Sequence, residues 1–264
     1  MNIQEQLMHT TVRIEIIKNN SVIGLGTGFF VSVPVSEENY KIVLISNKHV
    51  LFAADDIAIT FTTLKNGEPN YGSIMRIPIG KISNNVIGHP DPKIDVAALV
   101  CTGIFNLFPD ILFFKAISID MLSDFKESEL SVAENVFFVG YPDGRYDSKN
   151  NLPLIRTGLI ASDPKMDYNG LPEFVIDAQV FPGSSGSPVY INFTYEDMKN
   201  GNFIIGGKQN IKVLGIVAQT MIRNNVLQSV ETAAMNYTEE VLGLGIVYKS
   251  TVIRETIELA LASV

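Results

Sequence analysis

The chain has 264 residues, 46% of them hydrophobic, with a net charge of -8. That apolar content fills a sizeable core in one large domain or two small ones, and it excludes a disordered chain. An acidic chain with no Lys/Arg cluster argues against nucleic acid as a main partner, and the single cysteine, Cys101, forbids an intrachain disulfide.

The N-terminal stretch "MNIQEQLMHTTVRIEI" has no positive n-region and no continuous apolar h-region, so it does not read as a signal peptide. No stretch reaches the length of a membrane-spanning helix. With a single cysteine, these features lead to the expectation of a cytoplasmic protein with no membrane partner. Short apolar runs rich in Val, Ile and Phe follow, bounded by Gly, Pro, Asn or Asp. "TVRIEIIKN", "GLGTGFFVSV", "YKIVLISN", "DIAITFT", "MRIPIGKI" and "DVAALV" predict six strands. Cys101 closes the last of these runs and is expected to be a buried, inert thiol.

Residues 106–131, "NLFPDILFFKAISIDMLSDFKESELS", read as a connector with a short helix at "DMLSDF". A second series of six strands comes next: "NVFFVGY", "IRTGLIAS", "EFVIDA", "GSPVYI", "KVLGIVAQ" and "LGLGIVYK". Asn66-Gly67 and Asn200-Gly201 predict hairpin tips. "MIRNNVLQSVETAAMNYTEEV" reads either as a lid or specificity loop, or as a surface loop with a little helix. The last stretch, "STVIRETIELALAS", has apolar residues at helical spacing, with Ser250 or Thr251 as cap and Glu255 in an early turn. Helices do not alternate with strands, so a doubly wound parallel sheet is unsuited. The expected fold is all-β, two six-stranded antiparallel barrels with a C-terminal α-helix. The expected domains are an N-terminal barrel (1–112), a connector (113–130), and a C-terminal barrel plus helix (131–264).

The stretch "QVFPGSSGSPVY", Gln179 to Tyr190, reads at least as a turn, because Gly, Ser and Pro are common turn residues. A serine there becomes a nucleophile only with a base to take its proton and a carboxylate to orient that base. The histidines are His9, His49 and His89. His49 follows a strand and sits in a short polar turn; His9 is near the start, and His89 lies in a proline-rich loop. Asp95, in "DPKIDVAALV", meets a strongly apolar strand, where partial desolvation calls for a partner; Asp91 looks more exposed. The order His49, Asp95, serine is that of chymotrypsin-like enzymes. No histidine follows His89, which excludes the Ser-first order of α/β-hydrolases. The histidines are too scattered for a zinc site, and no cofactor is implied.

With these residues assembled, the chain resembles the trypsin-like (chymotrypsin-fold) serine peptidases, and among them the HtrA/Deg branch. "GLGTGFFV", "LISNKHV", "DPKIDVAAL", "VGYPDG", "RTGLIAS", "GSSGSPV" and "LGLGIVYKS" are similar to that family's motifs, in the same order along nearly the whole chain. The resemblance implies a serine endopeptidase acting on peptides or proteins, with Ser185 as nucleophile, His49 as base and Asp95 as its orienter. It implies an oxyanion hole from the backbone N–H groups of Gly183 and Ser185, leaving Ser184 and Ser187 as the alternative nucleophiles. It places the base of the specificity pocket at Gln179, the substrate-pairing strand at Ala218, Gln219 and Thr220, and a far wall at Gly245. A neutral Gln179 disfavours cleavage after Lys or Arg and points to a small or medium uncharged residue before the scissile bond.

The chain departs from the pattern in carrying Ser187 where Gly is usual, and Ser46-Asn47 where Thr-Ala is more usual. Ser184 replaces the aspartate that serves as a zymogen switch in digestive relatives, so activity is expected without N-terminal cleavage. HtrA proteins usually carry PDZ domains after the protease; none is expected here, with control expected to come from loops, assembly or a partner. The alternative reading is a non-catalytic or latent binding module on the same fold.

Overall fold

The computed structural model describes the chain apart from residues 38, 195–196, 200–201, 205–208, 229–234 and 264, with side chains described outside 194–209 and 222–241. A short helix α1 (Ile3–Met8) opens the chain, capped by Asn2, whose side chain accepts the Glu5 N–H. The first half then builds β1 (Thr11–Lys18), β2 (Ser21–Pro34), β3 (Tyr40–Ser46), helix α2 (Lys48–Leu51), β4 (Asp56–Lys65), β5 (Glu68–Ile79), β6 (Val86–Gly88), β7 (Ala97–Val100), helix α3 (Thr102–Leu107), β8 (Leu112–Phe113) and β9 (Ile117–Ser118). These strands form one nine-stranded sheet running β5-β4-β1-β2-β3-β7-β6, with β8 on β4 and β9 on β2. It holds more strands than the six expected, because Val86–Gly88 and two segments of the expected connector also pair.

The second half contributes β10 (Asn135–Gly140), β11 (Leu154–Ile160), β12 (Glu173–Asp177), β13 (Pro188–Thr194), β14 (Asp197–Lys199), β15 (Asn202–Ile204), β16 (Gln209–Gln228), β17 (Met235–Lys249) and helix α4 (Ser250–Ala262). Six of these close a barrel in the order β10-β11-β12-β17-β16-β13. The architecture is therefore the expected chymotrypsin-like one, mostly β with a C-terminal helix. No described helix is long and apolar enough to cross a membrane.

Several local expectations are corrected. "DMLSDF" forms only a 3-10 turn over Ile119–Met121, while the helix of this region is α3. The cap of α4 is Lys249; the Ser250 hydroxyl instead donates to the Ser123 carbonyl at 2.6 Å, and Glu255 reaches out of the helix to His89. "MIRNNVLQSVETAAMNYTEEV" is neither a plain loop nor helical where described: β16 and β17 continue into it as a ribbon, from Ile222↔Val241 to Gln228↔Met235. Asn66 and Gly67 both have positive φ, 54° and 79°, as a tight hairpin demands. Asn200 and Gly201 lie outside the described residues, between the paired β14 and β15.

Three apolar clusters organise the core. One fills the first sheet around Phe30, Leu44, Leu51 and Ile57, and another fills the second barrel around Phe138, Phe174, Val189 and Leu214. A third joins the halves: Phe29, Val43, Ile94 and Val96 pack with Val139, Tyr190 and Ile216, sealed by Val252, Ile253 and Ile257 of α4. Cys101 is buried, and burial pushes its thiol up to about 12, so it stays protonated.

His9 caps α1 and sits beneath Tyr71, 3.2 Å from its hydroxyl, edge-on to Phe113. Burial, with help from Lys115, lowers its pKa to about 4. The unfolded chain, with its ring near 6.5, then binds more protons than the folded one between those values. This contribution to stability is complete above about pH 6.5 and disappears as pH falls through 4. We predict that acidification from pH 7 to pH 4 costs the wild type ~2 kcal/mol more than His9→Asn, after allowing for solvent screening. Urea midpoints of the two proteins at both pH values measure this, and parallel losses would refute it.

Candidate active site

The antiparallel register of β3 on β7 sets up the first half of the site. Ser46 pairs with Ala97, so the residues just past Ser46 face those just before Ala97. The chain turns there into α2, and Asn47, fully buried, donates its side-chain N–H to the Asp95 carbonyl at 2.6 Å. Ile94 and Val96 on either side of Asp95 are core residues, which fixes the carboxylate between two anchors. Its two oxygens take different parts of one residue: Oδ1 accepts the His49 backbone N–H at 3.0 Å and Oδ2 lies 2.5 Å from His49 Nδ1. A carboxylate only accepts, so the proton sits on Nδ1 and the lone pair on Nε2. The His49 side chain is 53% exposed and that of Asp95 29%.

The second half is the turn from Phe181 to Ser187. The Ser184 N–H bonds back to the Phe181 carbonyl at 3.0 Å, with Pro182 next and Gly183 at φ 84°. This is a type II turn, which needs a residue free to adopt positive φ at its third position. The Pro182 carbonyl accepts the Asp143 N–H at 2.6 Å. Because a peptide is planar and trans, that bond turns the Gly183 N–H to the opposite side. The Gly183 and Ser185 carbonyls are held from the other half of the molecule, by the Thr27 hydroxyl at 2.7 Å and the Thr27 N–H at 3.1 Å. Thr27 is itself fully buried, and its own carbonyl accepts the Ser46 hydroxyl at 2.6 Å. A β-carbon on Gly186 would lie 1.8 Å from that Thr27 carbonyl, so the close approach admits only glycine.

This bonding leaves a pattern. The N–H groups of Ser184, Gly186 and Ser187 are bonded within the protein, to Phe181, Val217 and Ser184. Those of Gly183 and Ser185 have no acceptor among the described residues. Of the three serines, Ser184 and Ser187 are buried, at 1% and 0% exposure, with hydroxyls that have no partner among the described residues. Ser187 fits where it does because Gly140 opposite has no side chain: a β-carbon there would meet the Ser187 hydroxyl at 2.0 Å. Ser185 is half-buried, and its hydroxyl donates to the Ala218 carbonyl at 3.1 Å. No hydrogen bond joins it to His49 among the described residues.

Ala218 sits at a register shift of β16 against β17, between Val217↔Val247 and Gln219↔Ile246. Such an irregularity re-aims a carbonyl, here toward Ser185. Pairing of β16 with β13 reaches only Ile216, the last backbone bonds on that edge are at Val217, and beyond them, among the described residues, the Ala218 carbonyl takes only the Ser185 hydroxyl. From Ala218 to Thr220 the strand pairs with β17 alone and presents a spare backbone edge. Gln179 is exposed, whereas Gly245 is buried opposite Ile176 and Thr220.

The other histidines lie elsewhere. His89 accepts the Asp91 N–H on Nδ1 and meets Glu255 through Nε2 at 3.0 Å, tying its loop to α4. Sequence reasoning missed Thr27, Asn47 and the Asp143 amide. Thr27 was visible only as one member of a Gly-rich strand, and a backbone donor such as Asp143 N–H leaves no mark in a sequence.

A solved structure, that of the scabies mite inactivated protease paralogue S-I1, matches with a TM-score of 0.50 over 97% of each chain, at 14% sequence identity. At that identity the likeness shows the fold alone. No curated protein registers as a relative by sequence. The model of the trypsin-like peptidase domain matches residues 26–193, from the Gly-rich strand through the serine turn to the following strand, and on that match the chain belongs to the trypsin-like peptidase domain family.

Proposed function

We propose that the chain is a serine endopeptidase with Ser185 as nucleophile, His49 as general base and Asp95 as its orienter. The observation that carries this is the double grip of Asp95 on His49, which in the neutral ring leaves Nε2 as the open acceptor, together with Ser185 as the one accessible serine of the turn. In this reading Ser185 Oγ attacks the substrate carbonyl while His49 Nε2 takes its proton. The two spare N–H groups, of Gly183 and Ser185, receive the developing oxyanion. His49 then protonates the leaving amine, and water, activated by the same imidazole, releases the acyl group. The free edge at Ala218, Gln219 and Thr220 pairs with substrate backbone by β-addition. The neutral Gln179 and the small Gly245 favour an uncharged residue before the scissile bond. Within the family we read the chain as HtrA/Deg-like, on its Gly-rich strand, on Ser184 before the nucleophile, and on the helix that follows the last strand.

A second reading is a latent or non-catalytic form of the same fold. It is favoured by one contact, the Ser185 hydroxyl resting on Ala218 rather than on His49. Catalytic hydrogen bonds in unliganded enzymes often tighten only with substrate, which weakens that argument. A fluorophosphonate probe decides between the two. We expect one adduct by intact mass, mapped by peptide sequencing to Ser185, and unchanged labelling of Ser184→Ala and Ser187→Ala. Absence of any adduct in the folded protein favours the latent reading.

A further inference from the structure

Arg156 lies on β11 opposite Phe138 of β10. Its guanidinium sits between two rings, 5.3 Å from the centre of Phe138 and 4.9 Å from that of Phe181. Nη1 is sealed from solvent and has no hydrogen-bond partner among the described residues. No carboxylate pairs with Arg156 among the described residues, and burial alone lowers its pKa. Cation–π contacts offset part of the desolvation of a guanidinium, but they do not replace an anion. Asp143 and Arg145, both exposed, pair with each other at 3.6 Å, which leaves Arg156 as the surplus charge.

This cation faces a cavity of about 600 Å³ with apolar walls of Pro142, Leu154, Ile155, Phe181 and Pro182, and with the Asp143–Arg145 pair also in its lining. That volume and a mostly apolar wall with a few charged groups, of which Arg156 is the one without an oppositely charged partner among the described residues, are what a small-molecule or peptide-end site requires. The fork of an arginine matches a carboxylate in two parallel bonds. We propose that the cavity is a binding site for a carboxylate carried on an apolar body, held by Arg156. Phe181 and Pro182 are also the first two residues of the turn that ends at Ser184, so the occupant of the cavity touches the turn that sets the Gly183 amide. The site itself does not rest on the proposed catalysis.

The test uses the Ser185→Ala chain, so that failure of the peptidase reading leaves it intact. Calorimetric titration with 3-phenylpropionate and with 3-phenylpropionamide compares the same apolar body with and without the charge. We expect the carboxylate to bind at least tenfold more tightly than the amide. Arg156→Gln should erase that preference, Arg156→Lys should keep part of it, and Lys126→Gln, an exposed cation outside the cavity lining, should leave it unchanged, with thermal melts confirming that each variant folds. Equal binding of the two probes, no binding of either, or a preference that survives Arg156→Gln overturns the proposal. Competition between 3-phenylpropionate and a peptide bearing Glu after the scissile bond assigns the carboxylate to the substrate, and absence of competition assigns it to a separate ligand.

Discussion

Ser185→Ala is expected to reduce peptide turnover by about a millionfold, the scale on which a triad nucleophile acts. The loss comes without a loss of fold. Ser185 is half-buried, its hydroxyl makes a single bond to Ala218, and the turn is held by backbone atoms and Thr27. Removing such a bond costs about 1 kcal/mol. The check is a steady-state assay on peptides with uncharged residues before the scissile bond, run beside thermal melts of both proteins. Turnover within tenfold of wild type would remove Ser185 from the chemistry. Melting lowered enough to explain the loss would remove the experiment's force.

The second large effect belongs to Thr27, which touches no substrate in this reading. Its hydroxyl donates to Gly183 and accepts the Tyr141 N–H at 3.3 Å, while its amide holds Ser185. Thr27→Val preserves shape and strand preference but strips the hydroxyl. The Gly183 carbonyl then loses its donor, and the Gly183–Ser184 peptide, which lies between the two proposed oxyanion amides, gains freedom to rotate. Misplacing one such donor costs roughly 10² to 10³ in kcat. We expect that loss with KM nearly unchanged, and recovery of most of it in Thr27→Ser, which restores the donor. A general packing defect would not be rescued by the smaller Ser. Equal kcat in Val and Ser variants, or a loss that falls on KM, would show Thr27 to be only structural.

Much of this was legible in the sequence because the strands alternate and end at turn residues. Each of the twelve strand segments named from the sequence overlaps a strand in the structure. His49 and Asp95 were legible because each stands at the end of an apolar strand, where the register of β3 on β7 brings them together. What was hidden is non-local. Short strands such as Val86–Gly88 and Ile117–Ser118 carry too few residues to show a period, and only their partners reveal them. The long ribbon of β16 and β17 reads as polar and irregular because its residues are not organised around one buried face in the sequence. The orphan charge of Arg156 was invisible because a sequence does not say which arginine lacks a carboxylate.

In the trypsin-like reading Ser184 stands where digestive relatives keep an ionised latch, and the described bonds that fix the turn here all come from neutral donors, among them the Thr27 hydroxyl and amide and the amides of Asp143, Ser184, Gly186 and Val217. Such a fastening carries no charge to screen or protonate. Ionic strength and mild acid are therefore expected to have little grip on the turn itself, which leaves pressure on Phe181 and Pro182, or on the seam between the sheet and the barrel at Thr27, as the mechanical route to it.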